Sequence, residues 1–223
     1  MSGGVQNGAS AQELRIAKVA MPENGVYLVK VVDPSACMLR PGDKAIVSLD
    51  YGEDECKVLE VRGYDSGTDG ARPPSYRLVR PFGAEDAAAA AAFVGEAARL
   101  AERFAGLARR EAPDFHVVYS RLAIGRGKLF LRYVSSRPRA AVPRAIAEAA
   151  SAVGVPVNAW QMGIRDAMAA LGGVGPCGRV CCCAGWMRHS SGPRADSGAH
   201  APAGACGRTR CCAAFEAKEA NAK

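Results

Sequence analysis

Through the first quarter of the chain, short apolar-rich β-type runs alternate with polar turn signals: the runs are Leu14 to Ala20, Val26 to Val32, Lys44 to Asp50 and Lys57 to Val61. Pro22-Glu23-Asn24-Gly25 and Pro41-Gly42-Asp43 supply the intervening turns, with glycine where positive φ is easiest. Strands this short and closely spaced predict a small barrel-like β domain over residues 14–62. From Arg62 to Pro81 the composition shifts to Gly, Pro, Ser and Asp, which predicts a linker over 63–83.

The pattern then changes. Ala90, Phe93, Ala97, Leu100, Phe104 and Leu107 recur at steps of three and four, predicting a helix from about Ala84 to Glu111, ended by Pro113. At its rise per residue this rod is roughly 40 Å long. Its apolar stripe serves either as a partner-binding or coiled-coil seam or as a face packed on the protein's own sheet. Phe115 to Ile124 and Leu129 to Val134 read as a hairpin bent through Gly125-Arg126-Gly127-Lys128. Val142 to Val153 reads as a helix with Pro143 near its start and Gly154 past its end, and Val155 to Met162 as a final strand. The expected fold class is α+β. A frayed N-terminus (1–13) precedes the β domain and linker; the long helix and a β-β-α-β layer domain (84–163), a cysteine-rich region (164–216) and a tail (217–223) follow.

Composition adds two facts that change this picture. The first is charge. The net value of +7 equals the count of basic residues between Arg121 and Arg144, where Arg121, Arg126, Lys128, Arg132, Arg137, Arg139 and Arg144 occur with no acidic residue. Such a stripe suits RNA phosphates or an acidic partner, or forms a solvated face. The second is cysteine. Neither a signal-peptide pattern nor an apolar stretch of the roughly 20 residues needed to span a bilayer occurs, so the expected location is the cytoplasm, without membrane insertion. Disulfides are disfavoured there, and grouped cysteines are usually metal-binding or redox-active. Seven of the nine cysteines lie beyond position 176.

Those cysteines form a duplicated pattern. Cys177-Gly178-Arg179-x-x-Cys182-Cys183 and Cys206-Gly207-Arg208-x-x-Cys211-Cys212 share five positions at an offset of 29. Thiolates are soft ligands for zinc, copper or iron-sulfur centres, so twin thiol clusters on short loops point to a metal site. Adjacent side chains diverge in either regular structure, so each motif offers its first cysteine plus one member of its vicinal pair. Together that makes four thiolates, the complement of tetrahedral zinc or of one [4Fe-4S] cluster. Gly178 and Gly207 suit a tight turn, and Arg179 and Arg208 either offset part of the site's negative charge from behind the ligands or are surface residues holding their loops to a carboxylate such as Asp166. Cys181 stands as a spare thiol, and Trp160 and Trp186 as candidate shields against solvent. Cys37, Cys56 and His116 read as structural, and His189 and His200 as solvated. Leu171-Gly172-Gly173-Val174-Gly175 lacks the Lys-Ser or Lys-Thr of a phosphate loop, which excludes nucleotide hydrolysis by that motif.

The run Gly163-Ile164-Arg165-Asp166-Ala167-Met168-Ala169-Ala170-Leu171-Gly172-Gly173-Val174-Gly175-Pro176-Cys177-Gly178-Arg179, completed by the second cysteine motif, resembles the signature of the RicT (YaaT-like) family with its polymerase-suppressor-protein C-terminal domain. Leu39-Arg40-Pro41-Gly42-Asp43-Lys44 resembles that family's early strand and turn. The segment 184–205 is shorter than the family pattern and carries Ser190-Ser191-Gly192-Pro193 and Ala201-Pro202-Ala203-Gly204 instead of a helical period. The resemblance implies a non-enzymatic bacterial regulatory subunit that joins the small helical proteins RicA and RicF in an iron-sulfur complex. That complex is tied to the sporulation phosphorelay and to messenger RNA processing by RNase Y. It tips the choice of centre toward iron-sulfur over zinc; a zinc-stabilised RNA-binding module using the basic stripe is the alternative.

Overall fold

In a computed structural model, which describes residues 14–23, 25–136, 143–188 and 203–213, the chain is a mixed α+β protein with two sheets. The first sheet uses β1 (Arg15–Ala20), β2 (Val26–Val31), β3 (Lys44–Leu49), β4 (Gly52–Gly63) and β5 (Arg77–Pro81). Each pairs with two neighbours in the order β1-β2-β5-β3-β4, and β4 returns to β1, so the hydrogen-bonded ladder closes on itself. Inward-facing Ala17, Val19, Val29, Ala45, Val47, Cys56, Val58 and Leu78 fill its core.

One expectation needs correcting. The stretch expected as a linker over 63–83 contains β5, which pairs parallel with β2 (Val31 opposite Leu78) and antiparallel with β3 (Ala45 opposite Pro81). Only Leu78 of its five residues is buried, so it carries no alternation to read; its neighbours on both sides make it a strand. Just before it, α1 (Ser66–Asp69) is a single turn capped by Asp65. Strand β4 also runs well beyond the expected Lys57 to Val61 in both directions.

Helix α2 (Ala84–Ala108) ends within a turn of its expected limit. Asp86 anchors its start, accepting from Gly83 N (2.8 Å) and from both terminal nitrogens of Arg80. The deepest part of its stripe is alanine-rich: Ala97, Ala101, Phe104, Ala105 and Ala108 are buried. Of its two readings, the stripe packs within the protein's own fold. Phe104 meets Phe115 with ring centroids 5.8 Å apart, and Phe115 stacks on Tyr133 at 4.3 Å, the kind of offset aromatic contact that adds to simple area burial.

The second sheet has the order β6 (His116–Leu122), β7 (Leu129–Val134), β8 (Val157–Gln161), with α3 (Pro143–Val153) between β7 and β8 in the chain. Met162 N donates to Tyr133 O at 2.7 Å. Next comes α4 (Ile164–Leu171), which the apolar pattern did not reveal. Gly172 and Gly173 follow it with φ of 77° and 121°. The glycine-rich segment thus terminates a helix instead of opening one, the reverse of a phosphate loop.

Two compact units emerge: residues up to 98 with 121–130, and 99–120 with 131 onward. The observed division therefore cuts through α2 and the β6–β7 hairpin, where the sequence reading put its boundary at the linker. The hairpin tip belongs with the first unit for a visible reason. Gly125 N donates to Glu53 O at 2.8 Å, and a Cβ on Gly127 would lie 1.6 Å from Tyr51 O, so only glycine fits there.

Candidate functional site

The two cysteine motifs fold into the same hairpin. Val174 bridges Val180, and Ala203 bridges Thr209, both antiparallel and at the same offset as the cysteines. Gly175 N donates to Arg179 O (2.8 Å) and Gly204 N to Arg208 O (2.7 Å). Inside each turn Gly178 N reaches Gly175 O and Gly207 N reaches Gly204 O, both at 3.0 Å. Gly178 and Gly207 carry φ of 76° and 73°, a region that is costly for residues with a Cβ. The duplicated unit thus extends to Gly-x-Cys-Gly-Arg-x-x-Cys-Cys, beginning at Gly175 and Gly204.

These hairpins face one cavity. Its walls include Cys177, Cys181, Cys182 and Cys183 from the first copy, Cys206, Cys211 and Cys212 from the second, and Met168 from α4. It admits a few water-sized groups. Both members of each vicinal pair line it, where the sequence argument allowed only one. In the first copy, the turn-rich path of residues 182–188 breaks the regular geometry on which that argument stood. Cys181, set aside as spare, also lines the wall and is buried, as are Cys183 and Cys211. Cys177 is exposed, and Cys182, Cys206 and Cys212 are half-buried.

Two cross-copy relations stand out. Cys182 interacts with Cys212, and Cys183 with Cys211, across the two copies. Burial pushes the Cys182 thiol up, and Cys212 and Cys211 add to the shift, while a hydrogen bond from Trp186 opposes it. Burial also raises Cys183; Cys211 and Cys181 reinforce this, and the nearby Arg165 guanidinium pulls the other way. Thiols shifted in this sense are held protonated at neutral pH in the absence of a bound cation.

The chemistry of this donor set suits a soft metal, because many thiols share one small cavity. Their present arrangement is not a formed ligand shell. Among the described residues, no three Cys, His, Asp or Glu side chains are gathered as a group that could hold a metal ion.

Of the two readings of the motif arginines, exposure favours the surface one. Arg179 and Arg208 are exposed, and what each contributes to the loop is its backbone carbonyl. The cation beside the thiols is Arg165 on α4, only 6% exposed, whose Nη2 donates to Met187 O at 3.3 Å. Sequence reasoning missed it because a buried arginine in a short helix carries no periodic signal. Neither tryptophan shields the cavity: Trp186 interacts with Cys182 but is as exposed as Trp160 on β8, and neither is part of the cavity wall. Cys56 is a core residue whose thiol burial pushes up to about 12, and Cys37 is half-buried beside the same sheet. His116 is exposed on β6; His189 and His200 lie outside the described residues.

The basic stripe is not a continuous track of unpaired cations. Arg121 is largely buried and donates to both oxygens of Asp54 (2.7 and 2.8 Å) and to Glu23 (2.7 Å). Arg126 pairs with Glu96 and covers the ring of Phe93; Arg144 pairs with Glu148 at 2.9 Å. Lys128 sits over Tyr51 and Arg132 over Tyr119. Arg137 and Arg139 lie outside the described residues. Among the described residues, no helix is long and apolar enough to cross a membrane. Comparison with protein-family profiles, with curated proteins and with solved structures found no match.

Proposed function

We propose that this protein is a non-enzymatic cytoplasmic adaptor whose twin cysteine hairpins hold an iron-sulfur centre and present a docking surface to partner proteins, in the manner implied by its resemblance to RicT. One observation carries the reading: seven thiols from both copies of a duplicated motif line the same cavity. A core packed only for stability has no use for two superimposable thiol hairpins.

Cys177 and Cys206 at the turns, with members of the pairs Cys182-Cys183 and Cys211-Cys212, would hold the centre. A bound cluster would supply a rigid cross-link between the hairpins and sensitivity to iron and oxidant. The chain's own part is to position the thiols, with Gly178 and Gly207 shaping the turns and the Arg165 cation moderating the negative charge. Exposed apolar residues on the first hairpin and near it support docking. Val174 and Val180 face each other across the bridge at 66% and 65% exposure, with Leu171 and Trp186 similarly open. Isolated exposed apolar residues are ordinary, but four within one short thiol-bearing segment suit a contact surface. Partners resembling RicA and RicF, and RNase Y downstream, are the candidates from the resemblance.

The zinc-stabilised RNA-binding alternative draws less support, since Arg121, Arg126 and Arg144 already have carboxylate partners. Anaerobic purification of the full chain, with iron, sulfide and zinc quantified per chain, tests the proposal. Stoichiometric iron and sulfide that vanish in Cys177→Ser and Cys206→Ser support it. Zinc in their place turns the reading to the alternative, and absence of all three overturns both.

A further inference from the structure

We infer that Cys182 and Cys212 form a reversible disulfide that locks the two hairpins together, with a small disulfide of the glutathione type as oxidant. This goes beyond the adaptor reading. It needs the hairpins to converge but is indifferent to what the cavity holds.

The argument begins with selection among the seven cavity thiols. Cys181, Cys183 and Cys211 are buried, and Cys177 is exposed at a turn tip. Cys182 and Cys212 are both half-buried, line the same cavity from opposite copies and interact electrostatically. They therefore combine a partner within reach with access for a small reagent, the two conditions that thiol exchange imposes. The vicinal neighbours cannot substitute easily, because an adjacent-residue disulfide demands a strained ring.

The step balances without further reagents. Cys212, as thiolate, attacks one sulfur of the small disulfide, forming a mixed disulfide and expelling one small thiolate. Cys182 then gives up its proton as its sulfur attacks the Cys212 sulfur, forms the cross-link and expels the second small thiolate, which takes up a proton. Two electrons pass from the protein pair to the small disulfide, and the two protein thiol protons end on the two released thiols. Closure joins residues separated by 30 positions and withdraws two thiols from any metal, so oxidation and metal loading exclude each other.

The test uses the full chain, stripped with a chelator and reduced, then equilibrated with oxidised glutathione, alkylated and cleaved with trypsin. Cleavage at Arg179, Arg188, Arg210 and Lys218 leaves Cys182 in residues 180–188 and Cys212 in residues 211–218. The expected product is these two peptides joined, lighter than their sum by two hydrogen atoms and separated again by a reductant. Fragment spectra of the wild-type product place the bond at Cys182 and Cys212. Cys182→Ser and Cys212→Ser lose the joined product, and Cys181→Ser keeps it. No joined product, fragments that place the bond elsewhere, or an undiminished yield in Cys182→Ser overturns the inference. Since metal is removed beforehand, these outcomes are independent of whether iron is found in the anaerobic preparation.

Discussion

Gly178 and Gly207 adopt the same left-handed backbone, φ 76° and 73°, at equivalent points of two hairpins whose bridges and turn hydrogen bonds also coincide. The cysteine repeat is therefore a structural repeat, and each glycine is required by conformation alone, since a Cβ at either meets nothing within 4 Å.

Replacing Gly178 or Gly207 with alanine is expected to cost about 1–2 kcal/mol locally, the penalty of positive φ for a residue with a Cβ. Asparagine, which visits that region more readily, should cost less. Hydrogen exchange across residues 174–180 and 203–209 measures the difference. Equal protection in all variants would show that the turns do not need this conformation.

Glycines elsewhere should behave in opposite ways. Gly127→Ala drives a Cβ against Tyr51 O and is expected to destabilise by about 3 kcal/mol or more, because backbone has to move. Gly95→Ala, in the interior of α2 with open space at its Cβ, should stabilise by about 0.5–1 kcal/mol. Urea titration of both variants checks the sign of each.

Arg121 should prove structural. Asp54 is fully buried, so Arg121→Met leaves an uncompensated carboxylate and is expected to cost about 3–5 kcal/mol. Arg126→Met, whose guanidinium is largely exposed, should cost under about 1 kcal/mol. Thermal unfolding of the pair separates a buried cation from a surface one; similar small losses would contradict the buried role.

Asp114 should impart acid sensitivity. Hydrogen bonds from the Ser136 hydroxyl and backbone, and from Ser135, hold its carboxyl down to about 2. A depressed folded value means that its contribution is present above the unfolded carboxylate value of about 4 and is lost as pH falls toward about 2. Unfolding followed across that window should show a shallower pH dependence in Asp114→Asn than in the wild-type chain. An identical slope would remove Asp114 from the account.

Local patterns were legible where they repeat at a fixed period. The short β-type runs of β1 to β3, the limits of β7 and the three-four spacing of α2 all came through. Strand β5 did not, because one buried leucine among arginines has no period. Helix α4 did not either: it is short, flanked by glycines, and buries Arg165 alongside Ala167.

The sequence by itself determined the elements with a clear period, the duplication of the thiol motif and the turn chemistry of its glycines, because each depends on neighbours within a few positions. Tertiary structure alone decided that β5 closes the first sheet, that Arg121 serves Asp54 and Glu23, and that Cys182 meets Cys212. Those pairings join residues distant along the chain, and their partners are set by the path of the backbone between them, which no local spacing encodes.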